Sequence, residues 1–385
     1  MNVALDGMPL GTQLTGVGHY TFELARSVAL AAPGDQFTLL SPLPASSSTL
    51  ALIKEGSPAN LSFVNLGRGL RNRRWWSVGL PLHLQRSNYD LFHGTNYEVP
   101  FWVPRPSVLT IHDLSLFSHP EAHQPNLVRR ARWRLPLMAG AASQIITPTD
   151  AIKREVCERL NVNPDKVTVT PEAPRAIFAR REAAETLETR ARLGVDDDFI
   201  LFVGTLEPRK NLQRLVDAYE QILRTTSVNP PPLVIAGGRG WLMDDFAASL
   251  AHRGLNERIR FTGYLNDDEL CALYSSCKLF VYPSLYEGFG LPPLEAMACG
   301  APVVTSNIAA IKETVGDSAR LVDPLSVEGI ADALVEVLSD ENARAHFAAA
   351  GREQVKNFSW ERTARKTLGV YRKLLEPRIT RSESV

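Results

Sequence analysis

The strongest constraint on this chain is a rhythm of short, unbroken apolar runs separated by longer amphipathic stretches. The runs at 3–5, 36–40, 61–65, 90–93, 107–111, 144–147 and 167–170 carry apolar residues at nearly consecutive positions, and helical patterns such as 19–32 and 149–160 fall between them. After about residue 195 the rhythm restarts, with strand candidates at 199–204, 232–237, 259–263, 278–283, 301–305 and 319–322. Strands apolar on both faces belong in parallel sheets covered by helices on each side. The fold class is therefore α/β, in two units of similar size, since 385 residues exceed what one core usually holds. The boundary is placed in 171–193, which opens with PEAP and continues into the charged REAAETLETRARLG.

Composition removes several functional classes. The 42 Lys and Arg balance the 42 Asp and Glu, so overall charge calls for no polyanion and no nucleic-acid partner. Cys157, Cys271, Cys277 and Cys299 form no CxxC pair, which points to a reduced, cytoplasmic protein. The start MNVALDGMPL lacks the pattern of a secretory signal, and no apolar run approaches the ~20 residues of a membrane span.

Open α/β sheets bind ligands beyond the carboxyl ends of their strands, so chemistry is sought in the loops that follow them. The loop TLEPRKN at 205–211 puts Arg209 and Lys210 just before a helix expected near Asn211, a setting suited to a phosphate. In the first such loop, Gly16 and Gly18 precede a helix expected near His19; glycines there let backbone N–H groups approach an anion. Thr21 stands where a dinucleotide fingerprint has its third glycine. His112 ends the strand at 107–111, and His93 ends another.

The most specific stretch is EGFGLPPLE, 287–295. Glycine and proline exclude one continuous helix. Proline favours a first helical turn, so a helix is expected to begin at Pro292 or Pro293, with Glu295 in its first turn and Glu287 in the loop before it. Two carboxylates suit the hydroxyls of sugars. Together with Arg209 and Lys210 they match a ligand made of two sugars joined by phosphates.

These motifs resemble the retaining glycosyltransferases of family 4, which have the GT-B fold: two facing Rossmann-like domains with parallel sheets and an interdomain cleft. EGFGLPPLE is similar to that family's E-x7-E motif, GTLEPRKN to its phosphate loop, GVG at 16–18 to its glycine loop, and FSW with the last helix to the segment returning to the N-terminal domain. TGVGHYTFEL, HGTNYEVP and VGTLEPRKNL look most like a bacterial branch rich in mannosyltransferases for O-antigen and other surface polysaccharides. The resemblance implies an acceptor domain at 1–175, joined by a helix at 359–376, and a nucleotide-sugar donor domain at 194–358. It implies that Glu295 binds the ribose and Glu287 the donor sugar, with the backbone of Phe289, Gly290 and Leu291 near sugar and phosphate. Arg209 and Lys210 would neutralise the diphosphate, Gly16 and Gly18 would line it, His112 would lie near the anomeric centre, and Tyr264 near the base. Thr205 stands where some relatives carry arginine, which leaves the phosphate charge to Arg209 and Lys210.

The implied reaction moves a hexose, with GDP-mannose as first choice of donor, onto a glycan or a polyprenyl-linked glycan. No metal cofactor is required, because fixed cations can stabilise a departing nucleoside diphosphate. The triplet Asp196–Asp198 contains a DxD, but it precedes its strand and is read as a solvated turn. Alternatives are a UDP-sugar donor, a glycoside hydrolase, a sugar-nucleotide epimerase, and a non-catalytic nucleotide-sugar-binding subunit. The basic, tryptophan-bearing segments GRGLRNRRWW (67–76) and RRARWR (129–134) suit an anionic membrane surface, which places the protein on the cytoplasmic face of the inner membrane.

Overall fold

The computed structural model describes the chain except residues 12, 13, 15, 68, 70, 71, 103, 104, 196, 197, 226, 227, 239–245, 247–249, 251 and 377–385. Arg71 of the first basic segment, and Asp196 and Asp197 of the acidic triplet, lie outside the described residues. Asp198 is described and pairs with Lys278 at 2.9 Å. The chain forms two compact units. One comprises Met1–Leu114, Arg129–Glu172 and the chain from Trp360; the other comprises Ser115–Val128 and Ala173–Ser359.

The first unit holds a seven-stranded sheet of β1 (Asn2–Asp6), β2 (Gln36–Ser41), β3 (Leu61–Asn65), β4 (Leu91–Gly94), β5 (Ser107–Thr110), β6 (Gln144–Thr147) and β7 (Val167–Val169). Its order is β3-β2-β1-β4-β5-β6-β7, and every pair is parallel, with Val3 opposite both Phe37 and Leu91. β1 and β4 bury all or nearly all of their residues, as expected of strands covered on both faces. Val3, Leu5, Phe37 and Leu91 pack with Leu24 and Val28 of the helix Gly16–Ala31 and with Leu368 and Tyr371 of the helix Trp360–Leu375. Thr363 in the latter helix donates to the Pro171 carbonyl at 2.6 Å.

The second unit holds β8 (Ile200–Val203), β9 (Leu233–Ala236), β10 (Ile259–Gly263), β11 (Leu279–Tyr282), β12 (Val303–Ser306) and β13 (Arg320–Val322), again all parallel. Its order is β10-β9-β8-β11-β12-β13. The strand order therefore reverses between β1 and β4 in one sheet and between β8 and β11 in the other. Those reversals are where a doubly wound sheet opens a crevice for a ligand.

Two helix starts differ from the sequence expectation. The first helix begins at Gly16, not near His19, so both glycines are helical. A Cβ on Gly18 would lie 2.9 Å from Leu14 Cδ2 and 3.1 Å from the Pro9 oxygen, so close packing favours glycine there despite its low helix propensity. The helix after EGFG spans Leu291–Ala298, which makes Glu295 its fifth residue and leaves no acidic residue in the first turn. The prolines occupy the second and third positions, where a missing N–H costs no intrahelical hydrogen bond. Glu295 therefore lies beyond the reach of helix-dipole stabilisation, which fades within the first turn. Among the described residues no helix is long and apolar enough to cross a membrane.

Candidate active site

The β8/β11 reversal gathers Arg209, Lys210 and Glu287. The loop after β8 forms a 3-10 turn at Pro208–Lys210, closed by Asn211 in a left-handed conformation (φ 63°). Asn211 Nδ2 donates to the carbonyls of Pro283 (2.9 Å) and Pro324 (2.7 Å). Leu285 N donates to the Arg209 carbonyl at 2.9 Å, and Arg209 Nη1 donates to the Tyr286 carbonyl at 2.7 Å. The loops after β8 and β11 are thereby tied into one rigid ledge.

On that ledge Glu287 is buried. Its Oε1 accepts from Lys210 Nζ (2.7 Å), Tyr282 Oη (2.8 Å) and Ser284 Oγ (2.6 Å), and its Oε2 lies 3.3 Å from Arg209 Nη1. Burial opposes the charged form, but Lys210 and Arg209 outweigh it and hold the carboxyl at about 2. Burial lowers Lys210 below its ordinary 10.5 against the pull of Glu287. Glu207 completes the group, with Oε1 at 2.5 Å from Arg209 Nη2. Two cations and two carboxylates thus make a neutral, preorganised set. Both cations are paired with Glu287.

Glu295 sits in a different environment. It is half-buried on its helix and accepts a long hydrogen bond of 3.4 Å from Tyr274 Oη. Burial raises its carboxyl to about 7, with Arg175 opposing and Asp267 reinforcing the rise. Arg175 is held by Asp267 through both guanidinium nitrogens and lies over the Phe178 ring at 5.0 Å. A carboxylate kept short of donors is suited to accept hydrogen bonds from hydroxyls.

Between the glutamates, Gly290 caps the helix at φ 95°. A Cβ there would be strained by that φ and would meet Ile311 Cδ1 at 2.3 Å. Phe289 is buried edge-on against Phe358 at 5.6 Å, which leaves its backbone, not its ring, for a ligand. Leu291 opens the helix, with its N–H among the group that lacks intrahelical partners. Tyr264 follows β10 and is 59% exposed, so its ring is open to stacking.

In the first unit, His112 follows β5 and lies between two acceptors. Its Nδ1 is 2.9 Å from Glu172 Oε1 and its Nε2 is 2.9 Å from the Thr95 carbonyl. A carbonyl only accepts, and so does an ionised carboxylate, so satisfying both requires protons on both ring nitrogens. Burial opposes the charge, yet the Glu172 hydrogen bond and charge, with Thr95 and Asp113, raise the group above its ordinary 6.5. His112 is therefore biased toward the imidazolium and held in place. Tyr20 and Tyr97 pack edge-on against it at 4.6 and 5.8 Å. His93 differs: it is fully buried between Tyr371 Oη (2.6 Å) and Thr110 Oγ1 (2.8 Å), and burial pushes it down to about 3. It is a neutral element of the core. Gly16 and Gly18 lie in the first turn of their helix, whose N–H groups are free of intrahelical partners.

Several members of these groups carry no local signal in the sequence. Glu172 belongs to PEAP, which reads as linker; Tyr282 reads as strand interior; Arg175 and Asp267 are distant in sequence from the glutamate they flank. Among the described residues no three His, Cys, Asp or Glu side chains gather to hold a metal ion.

Two doubly wound parallel units, of seven and six strands, define the GT-B class of fold. The family model described as Glycosyltransferase Family 4 matches residues 14–173, and the one described as Glycosyl transferases group 1 matches residues 185–354. The chain is 34% identical to O-antigen chain mannosyltransferase B of Escherichia coli, over 97% of this chain and 100% of that protein. Among solved structures it is similar to sucrose-phosphate synthase from Thermosynechococcus elongatus (TM-score 0.75, 21% identity, covering 97% of this chain and 98% of that chain). It is also similar to Anabaena HepE in complex with UDP and glucose (TM-score 0.73, 20% identity, covering 97% and 99%). The chain belongs to glycosyltransferase family 4. It is an enzyme that takes its sugar from a nucleotide-sugar donor.

Proposed function

We propose that the enzyme is a retaining hexosyltransferase that moves mannose from GDP-mannose onto a glycan or a polyprenyl-linked glycan. The observation that carries this reading is the neutral Arg209–Lys210–Glu287–Glu207 set at the β8/β11 reversal, in a chain matched over 97% of its length by a mannosyltransferase. Without a donor, Glu287 and Glu207 neutralise the two cations and fix their positions. An arriving diphosphate competes for Arg209 and Lys210, which frees Glu287 to accept hydroxyls of the sugar. The leaving group then departs as a diphosphate facing preplaced positive charge, which lowers the barrier without reorganisation. Glu295 takes the ribose hydroxyls, Tyr264 stacks on the base, and backbone N–H groups of Gly290 and Leu291 serve the phosphates. His112, biased toward the imidazolium, contributes positive charge and not a proton acceptor.

A thermal-shift screen against nucleotide sugars tests the donor assignment, because a ligand that binds only the folded state raises Tm. GDP-mannose is expected to give the largest shift, and Glu295→Ala to remove it. A larger shift with a UDP-sugar, or a full GDP-mannose shift in Glu295→Ala, would overturn the assignment. Binding without acceptor-dependent GDP release would mark a non-catalytic binding subunit.

Peripheral membrane binding is part of the same reading. Trp133 (54% exposed) and Trp102 (47%) stand at the surface with Arg129 and Arg132 also exposed, a mixture suited to anionic headgroups. Flotation with anionic liposomes is expected to carry the wild type upward and to leave a Trp133→Glu, Arg132→Glu variant behind. Equal flotation of both would refute the assignment.

A further inference from the structure

The first unit contains an open cavity of about 590 Å³, within the range of roughly 300–1,000 Å³ usual for small-molecule sites. Met8, Pro42 and Leu43 give it apolar lining, Trp75 and Trp76 give two indoles, and Arg73 and Arg130 give two guanidinium groups. None of the residues assigned to donor binding lines it.

The chemistry of this lining is one-sided. Guanidinium and indole N–H groups only donate, so no polar side chain in the lining accepts a hydrogen bond. A ligand must supply the acceptors, and two positive charges call for an anionic one. Trp75 sharpens the point. It is 5% exposed, and its Nε1–H has no hydrogen-bond partner. A buried donor left unmet is costly, and native structures seldom keep one without a reason. Trp75 also opens a π-helical turn, Trp75–Gly79, a geometry found mostly at functional sites. Arg73 is exposed, and Arg130 has only a loose 3.5 Å pairing with Glu98, whose other oxygen is bound by Arg134. Trp76 packs edge-on against Phe92 at 6.4 Å yet remains partly exposed. Flat indole surfaces suit the C–H face of a sugar ring.

We infer that this cavity binds a glycosyl phosphate, with the sugar ring against the indoles and the phosphate ester on Arg73, Arg130 and the Trp75 Nε1–H. Identifying that ligand as the acceptor's phosphate-bearing end rests on the proposed function; the binding itself does not.

The test uses the full chain with saturating GDP, which occupies the donor site, and α-mannosyl phosphate as probe. Binding is followed by calorimetry and by the indole ¹H–¹⁵N resonance of Trp75. The inference predicts saturable binding, a shifted Trp75 resonance, and affinity about tenfold weaker for methyl α-mannoside and for inorganic phosphate. Arg73→Gln and Arg130→Gln should each weaken binding about tenfold, and Trp75→Phe, which keeps an aromatic ring and removes the N–H, should weaken it while keeping the fold. All three should retain the wild-type GDP-mannose thermal shift. No binding, or binding indifferent to these three changes, would overturn the inference. So would equal affinity for inorganic phosphate, which marks a bare anion site, or failure of the sugar phosphate alongside Arg73-dependent binding to anionic vesicles, which marks a lipid surface. If mannosyl phosphate binds as predicted but wild type shows no GDP-mannose shift, the donor assignment fails and the cavity assignment stands.

Discussion

Replacing Glu287 with glutamine removes one buried charge and leaves Lys210, itself 8% exposed, without its counter-ion. Two routes give the cost. The folded carboxyl lies at about 2 against an ordinary 4.5, and that gap at about 1.4 kcal/mol per pH unit comes to about 3 kcal/mol. Removing one partner of a buried pair costs about 3–5 kcal/mol in general. In a unit of this size about 3 kcal/mol corresponds to a fall of roughly 6–12 °C in Tm. The sign with pH follows from the depressed carboxyl. Its stabilisation is fully present above 4.5 and is lost as pH falls toward about 2, so wild type and Glu287→Gln should differ at pH 7 and converge in acid. Differential scanning calorimetry across pH 3–7 reads both effects. A cycle with Lys210→Met isolates the pairing: the double variant should be more stable than the sum of the single losses predicts. Equal Tm for wild type and Glu287→Gln at pH 7, or strictly additive losses in the cycle, would refute the account of a mutually neutralising pair.

Glu295→Gln should have the opposite effect on stability. Its carboxyl is raised to about 7, so ionisation weakens the fold increasingly as pH rises from 4.5 through 7; the amide should stabilise the protein by about 1–3 kcal/mol at pH 8, after discounting for partial exposure, while losing the nucleotide-sugar thermal shift. Glu172→Gln should lower the pH at which His112 gives up its second proton, read by ¹H–¹⁵N correlation of the imidazole. In wild type the raised group stabilises the fold fully below 6.5, and that contribution is lost as pH rises through the folded value. Gly290→Ala should cost about 1–3 kcal/mol in chemical denaturation, because φ 95° disfavours any Cβ and the new methyl meets Ile311; Ile311→Val should recover only the clash.

Most strands were legible in the sequence because they are runs of apolar residues such as FILFV or LFVY, a pattern that survives any detail of packing. The start of the first helix was not, because Gly16 and Gly18 read locally as loop while close approach to Pro9 and Leu14 makes glycine the residue that fits. The candidate site was legible as separate residues at strand ends and not as a network. Lys210 and Glu287 are 77 residues apart, and nothing local says that one neutralises the other. Glu172 hid in a proline-flanked segment, although it decides the charge of His112 from 60 residues away. Glycine and proline showed that Glu287 and Glu295 could not share a helix; burial and partners set one at about 2 and the other at about 7.

Following the transfer itself tests the central claim most directly. The enzyme is incubated with GDP-α-mannose and a mannoside acceptor, GDP release is recorded, and the anomeric configuration of the new bond is read by NMR. Release of GDP that depends on acceptor, matched by an α-linked product and abolished in Glu295→Ala, is the predicted result. Turnover only with a UDP-sugar, a β-linked product, or undiminished transfer in Glu295→Ala would contradict the account.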